Sequence, residues 1–275
     1  MSLATATTKF VEAAGINFAF RALGPSVGTP LICLQHFTGT MDSWDPAVID
    51  GLAKHRPVLV FDNAGVGRSE GDTPDNVEQM ATDAAAFISA LGFEQVDVLG
   101  FSLGGMVAQA LAVHHGKLLR RIVLVGTAPR GGRERLMASL QEAFAHPDAP
   151  DPRLPLFFTD APASWAAGIA FLKRAAVRAE DRDPESGEIV GKQHANAIIT
   201  WCAASDPENA TLVAIDKPVL VVSGSHDRML PEENGMIIFR ALRNAQLLFY
   251  PESGHGSLFQ YPERFIGHVN QFLSE

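Results

Sequence analysis

The sequence predicts an α/β protein, a mostly parallel sheet covered by helices on both faces with a helical segment inserted late in the chain. Three observations predict it. Short apolar, β-branched runs alternate with stretches of helical periodicity, the pattern of repeated βα units. An Ala14-Gly15 pair separates the first two runs as an antiparallel hairpin would require. One region, from about residue 128 to 212, keeps helical periodicity and is rich in loops and prolines, with no strand-like run inside it.

Taken in order, residues 9–13 and 16–22 form the expected hairpin, and strands follow at 31–35, 57–62, 96–100, 121–126, 218–223 and 246–250. Helices are expected at about 46–54, 77–91, 103–115, 231–242 and 262–273. Asp45-Pro46 supplies an N-cap followed by proline at the first helical position, where the missing N–H costs nothing. The expected organisation is a core of 1–127 and 213–275 with 128–212 folded over one end of the sheet as a helical lid. There is no internal repeat and no low-complexity tract.

Composition narrows the function classes. The chain has 275 residues, 47% hydrophobic and 19% charged, enough for one well-covered core plus an insertion. No apolar run approaches the roughly 20 residues that span a bilayer. The N-terminus lacks a basic stretch followed by an apolar one, so a cytoplasmic protein is expected. A formal net charge of -9 disfavours nucleic acid and anionic membrane as partners. Cys33 and Cys202 are too few for a disulfide framework and are expected to be reduced and structural. No CxxC pair or HExxH is present, so neither a metal nor another cofactor is expected.

The sharpest motif is Gly100-Phe101-Ser102-Leu103-Gly104, directly after a strand candidate and directly before a helical run. A turn this tight strains the central residue and demands small flanking residues. It exposes the Ser102 hydroxyl at a helix N-terminus, where unpaired N–H groups favour negative charge on an attacked carbonyl. A serine hydroxyl is a weak nucleophile near neutral pH and needs a base that is itself oriented by an acid. In this strand–turn–helix context the acid and the histidine follow the serine in chain order. Asp227, in the loop after PVLVVSG, and His255, in Ser253-Gly254-His255-Gly256, occupy those places. His226 is a weaker candidate base, because no suitably placed acid lies between it and Ser102.

Four segments, LICLQHFTGTMDSW, VFDNAGVGRSEG, VDVLGFSLGGMVAQALA and the tail holding SGSHDRMLP and YPESGHG, resemble the α/β-hydrolase superfamily, especially its bacterial esterases and cofactor-free haloperoxidases. The resemblance implies Ser102 as nucleophile, His255 as general base and Asp227 as the acid. Family members usually carry His-Gly-x after the third strand, with the N–H of x in the oxyanion hole. Here the segment reads Gln35-His36-Phe37-Thr38-Gly39, which matches Thr38 to x and puts Phe37 in place of the glycine. The expected backbone donors are therefore Thr38 and Leu103, with Phe37 as the second choice for the first donor. His36 is expected to hold that loop rather than act as a base. Asp62-Asn63-Ala64-Gly65-Val66-Gly67-Arg68-Ser69 does not match a dinucleotide fingerprint and is read as structural.

The implied activity is hydrolysis of a small or medium carboxylic ester through an acyl-enzyme, the partners being that small molecule and water. Perhydrolysis, carbon–carbon bond hydrolysis and lactone or amide hydrolysis share the triad. A silent ligand-binding protein on the same fold is the alternative from another class. Serine at the elbow argues against the relatives that use aspartate there. Phe37, Phe144, Phe157, Phe158, Trp165, Phe171 and Trp201 are the candidate pocket residues. The sequence leaves substrate, oligomeric state and lid motion open.

Overall fold

A computed structural model describes residues 2–146 and 148–275. Eight strands form one sheet in the order β1-β2-β4-β3-β5-β6-β7-β8: β1 Lys9–Ala13, β2 Ile16–Leu23, β3 Leu31–Leu34, β4 Val58–Phe61, β5 Val96–Phe101, β6 Leu119–Val125, β7 Val219–Gly224 and β8 Ala245–Tyr250. The β1–β2 and β2–β4 pairs are antiparallel and every other pair is parallel. All strands fall where the sequence placed them, within two residues at their ends.

The central strands are buried along their whole length, which is why LICL and VLVF read as continuous apolar runs rather than alternating ones. Helices α1 Pro46–Leu52, α2 Val77–Ala90 and α3 Leu103–His115 follow strands β3, β4 and β5. Asp45 caps α1 by accepting from the Ala47 N–H at 2.9 Å, with Pro46 at the first turn. Beneath β2 and β4, Phe61 and Phe87 stack at 4.3 Å and Phe18 meets both edge-on.

From β3 the chain crosses toward the β1 edge to form β4, whereas from β5 it crosses the other way to form β6. The adjacent carboxyl ends of β3 and β5 therefore flank a crevice that their connections leave open, the usual place for a site in such sheets.

Between β6 and β7 lie α4 Leu136–Phe144, α5 Arg153–Phe157, α6 Pro162–Ala175, α7 Glu188–Ala203 and α8 Ala210–Val213, with no strand among the described residues. The chain ends with α9 Glu233–Ala241, α10 Ser257–Gln260 and α11 Pro262–Ser274. Two details differ from expectation: α9 starts after Pro231 and Glu232 rather than at Pro231, and α10 is an extra short helix before α11. Among the described residues no helix is long and apolar enough to cross a membrane.

A buried ionic cluster ties the β6–β7 segment to the core. Arg21 of β2, fully buried, donates to Asp42 at 2.6 Å and to both Asp183 oxygens at 3.1 and 3.2 Å. Asp42 in turn accepts from the Asp183 backbone N–H at 2.7 Å. Burial, followed by the nearby Asp62 and Asp42 carboxylates, pushes the Asp183 carboxyl up. Removing the shared cation leaves two buried acids with only longer contacts, Asp42 to Arg178 at 3.8 Å and Asp183 to Arg68 at 3.5 Å. Arg21→Leu is expected to lower the unfolding free energy by about 3–5 kcal/mol, measured by urea titration.

Candidate active site

Ser102 sits between β5 and α3 with φ 58° and ψ -120°, a conformation that non-glycine residues rarely adopt. The strain is held in place by close packing on both sides. A Cβ at Gly100 would overlap the Gly104 carbonyl, and one at Gly104 would overlap the Leu34 carbonyl of β3. Thr127 Oγ1 donates to the Ser102 carbonyl at 2.8 Å, and the Ser102 N–H donates to the Val125 carbonyl at 2.9 Å. The small residues around the elbow thus let α3 start directly against the end of β3.

Asp227 and His255 arrive from the loops after β7 and β8, which are cross-linked by Ser225 N–H to the Tyr250 carbonyl at 3.0 Å and His226 N–H to the Ser253 carbonyl at 2.9 Å. Asp227 Oδ1 accepts from the N–H groups of Met229 and Leu230 at 2.9 and 3.0 Å. Its Oδ2 pairs with His255 Nδ1 at 2.7 Å. Backbone donors on one oxygen leave the other aimed at the imidazole. Gly126, at the end of β6 with φ 50°, keeps the space beside that pair clear: a Cβ there would lie 3.3 Å from His255 Nδ1 and 3.4 Å from Asp227 Oδ2.

The His255 ring is buried against Phe101 and Phe157, with centroids 5.0 and 5.7 Å away, and its Nε2 has no hydrogen-bond partner. Ser102 and His255 line one cavity of about 440 Å³, although no hydrogen bond joins their side chains. His226 is exposed and pairs with Ser225, so the weaker candidate base stands outside the site.

The loop after β3 supplies the opposite wall. His36 Nδ1 and Thr38 Oγ1 both pair with the Phe37 carbonyl at 2.8 Å, and Gln35 Nε2 donates across the loop to the Thr40 carbonyl at 2.8 Å. The expectation for Thr38 is corrected here. Its N–H donates to His194 Nδ1 of α7 at 3.0 Å and is therefore committed. The Phe37 N–H meets no protein acceptor among the described residues, and the Leu103 N–H, first in α3, has no helical partner either.

The pocket residues divide. Phe37, Phe144 and Phe157 line the cavity, joined by Leu140, Leu156 and Met229, none of which carries a sequence signal beyond apolarity. Phe144 is 77% exposed, at the rim. Phe158, Trp165, Phe171 and Trp201 are not lining residues, a second correction. Phe171 stacks on Phe259 at 4.5 Å with Phe158 beside it, so both fill the interior under α6. Trp165 packs partly buried against the core. Trp201 is buried, its Nε1–H donating to the Ala128 carbonyl at 3.2 Å. The other half of the cavity is polar, including Asp151, Arg153, Asp183, Glu185 and Ser186. Arg153 is held side-on by Asp151 through Nε at 2.9 Å and Nη2 at 2.7 Å. The described residues contain no group of three or more side chains able to hold a metal ion.

Two histidines beside the site are electrically silent. Burial lowers His36 to about 3, opposed by its bond to the Phe37 carbonyl and assisted by Arg153. Burial alone lowers His194 to about 4. Their partners fix opposite tautomers. A carbonyl only accepts, so His36 carries its proton on Nδ1; an amide N–H only donates, so His194 Nδ1 is bare and Nε2 carries the proton.

Residues 29–171 match the family model described as alpha/beta hydrolase fold, and residues 188–275 match one described as TAP-like protein. An alpha/beta hydrolase fold protein from Chitinophaga pinensis is 39% identical, with a TM-score of 0.91 over 99% of both chains. The 2-hydroxymuconate semialdehyde hydrolase of Pseudomonas sp. (strain CF600) is 27% identical over 96% of this chain and 93% of its own. A Pseudomonas savastanoi pv. phaseolicola protein provisionally named carbamate hydrolase RutD is 28% identical over 89% of this chain and 94% of its own.

Long-range ¹H–¹⁵N correlation spectra are expected to show both rings neutral from pH 8 down to pH 5, since each pKa lies below the ordinary histidine value of about 6.5. His36 is to appear as the Nδ1–H tautomer and His194 as the Nε2–H tautomer. Either ring titrating above pH 5, or the two sharing one tautomer, contradicts the hydrogen bonding described.

Proposed function

The chain belongs to the α/β-hydrolase family, and within it we propose that it is a serine hydrolase of small or medium carboxylic esters, with Ser102, His255 and Asp227 as its triad. One observation carries the reading. His255 is held through Nδ1 by a carboxylate that backbone donors orient, while its Nε2 is left without a partner in the cavity that Ser102 also lines.

In the first step Ser102 Oγ attacks the ester carbonyl carbon as its proton passes to His255 Nε2. Asp227 keeps Nδ1–H in place and stabilises the imidazolium. The carbonyl oxygen becomes an anion, met by the N–H groups of Phe37 and Leu103, which have no protein acceptor among the described residues. Collapse of the tetrahedral adduct expels the alcohol, which takes the proton from His255. Water then attacks the acyl-serine by the same route and releases the acid. The Ser102–His255 contact tightens as the substrate seats, as is common for catalytic hydrogen bonds.

A cavity of about 440 Å³ suits a small or medium ligand. The apolar wall of Leu140, Leu156, Phe157 and Met229 favours a hydrophobic portion. In this reading the β6–β7 segment acts as a lid, because Phe157 of α5 both lines the cavity and accepts the Gly256 N–H at 2.8 Å beside His255. A second reading, hydrolysis of a carbon–carbon bond, is favoured by the likeness to the 2-hydroxymuconate semialdehyde hydrolase and by the polar half of the cavity.

The test is labelling with a fluorophosphonate probe alongside turnover of p-nitrophenyl esters of increasing acyl length. Wild type is expected to label and to turn over short and medium esters. Ser102→Ala is expected to lose labelling and about 10⁴-fold or more in kcat. Folded wild-type protein that neither labels nor turns over any ester removes the proposal. Turnover confined to a vinylogous diketone substrate favours the second reading.

A further inference from the structure

Thr38 is held by a distant part of the chain on both sides of one residue. Its φ is 56°, a left-handed conformation that a β-branched residue adopts only under constraint. Its N–H donates to His194 Nδ1 at 3.0 Å, and its carbonyl accepts from Ser186 Oγ at 2.8 Å. Both partners belong to the β6–β7 segment, about 150 residues further along.

The consequence falls on Phe37. The carbonyl of the Phe37–Thr38 peptide is fixed by His36 Nδ1 and Thr38 Oγ1, and its N–H is fixed by His194, so that peptide cannot rotate without losing bonds at both ends. In the preceding trans peptide the His36 carbonyl accepts from the Gly39 N–H at 3.0 Å, which turns the Phe37 N–H the opposite way. No protein acceptor meets that N–H among the described residues.

A histidine is a costly way to fill its place in α7. His194 is fully buried and its Nε2 has no partner, whereas a leucine there would pack without an unpaired donor. The cost is intelligible if the bare Nδ1 is needed. Burial keeps that nitrogen unprotonated at neutral pH, so the lone pair stays available to the Thr38 N–H.

We propose that His194 is a positioning residue for oxyanion binding: by accepting the Thr38 N–H it fixes the loop after β3 so that the Phe37 N–H, and not that of Thr38, faces the developing charge. This rests on the acyl-transfer reading above. His194 touches neither substrate nor Ser102 in this role; it acts through the loop.

The experiment compares His194→Phe, which keeps an aromatic ring without the acceptor, with His194→Asn, whose Oδ1 can take the place of Nδ1. With the best ester from the panel, His194→Phe is expected to lose at least about tenfold in kcat, with KM within about threefold, because a misplaced donor weakens the transition state rather than substrate binding. His194→Asn is expected to recover most of that loss. Hydrogen exchange at the Thr38 amide reads the same contact without any turnover: fast in His194→Phe, protected in wild type and in His194→Asn. Should His194→Phe fail to fold, His194→Leu removes the same acceptor and is expected to lower kcat at least about tenfold with KM within about threefold.

A kcat within twofold of wild type in the variant whose Thr38 contact is broken overturns the proposal. So does an equal loss of kcat in His194→Asn and His194→Phe when the Asn variant protects the amide. Wild-type protein that is inert toward every ester while its Thr38 amide is protected refutes the acyl-transfer reading instead, and the two failures are thereby told apart.

Discussion

The constraint on which the rest of the site depends is the backbone of Ser102. A residue at φ 58° and ψ -120° is stable only if the surroundings over-determine it, and here they do so by contact. Gly104 lets α3 begin against the Leu34 carbonyl, Gly100 lets β5 pass under that helix, and Thr127 holds the Ser102 carbonyl. The same packing puts the ends of β3 and β5 side by side. The loop with the Phe37 N–H and the helix start with the Leu103 N–H thereby become neighbours of the hydroxyl between them. Strain at one residue and a pair of unpaired donors are two results of a single close approach.

Electrostatics is divided with equal economy among three buried histidines. His36 and His194 are fixed as neutral rings by burial and by partners that dictate their tautomers. His255 has a carboxylate on Nδ1 and nothing on Nε2. Only the last pairs an acid with a free nitrogen in the cavity, which is why the proposed mechanism sends the Ser102 proton there. The cluster of Arg21, Asp42 and Asp183 plays a different part, anchoring residues of the β6–β7 segment that also reach the cavity wall. Core stability and cavity shape are thus linked through one buried cation.

Much of this was legible in the sequence because the signals are local. A serine between two glycines at a strand-to-helix junction, an aspartate just past VLVVSG and a histidine in SGHG each sit at the carboxyl end of an apolar strand, and a parallel sheet brings such ends to one edge. What was illegible depends on contacts far apart in the chain. Whether Thr38 or Phe37 offers a free N–H is decided by His194 in α7, which no motif links to the loop. Aromatic content also hides direction. Phe157 and Phe158 are adjacent, yet the first faces the cavity and the second packs with Phe171. Trp201 looks like a pocket residue until its indole N–H is seen bonded to the Ala128 carbonyl.

The central claim is that this geometry makes one alcohol a nucleophile toward carbon. Acid quenching during turnover of a slowly deacylating ester, followed by intact-mass and peptide mass analysis, tests it most directly. The account predicts one added acyl group per chain, on the peptide containing Ser102, and none on Ser102→Ala. An acyl group carried by another residue, or steady turnover with Ser102 unmodified and its variant fully active, would contradict it.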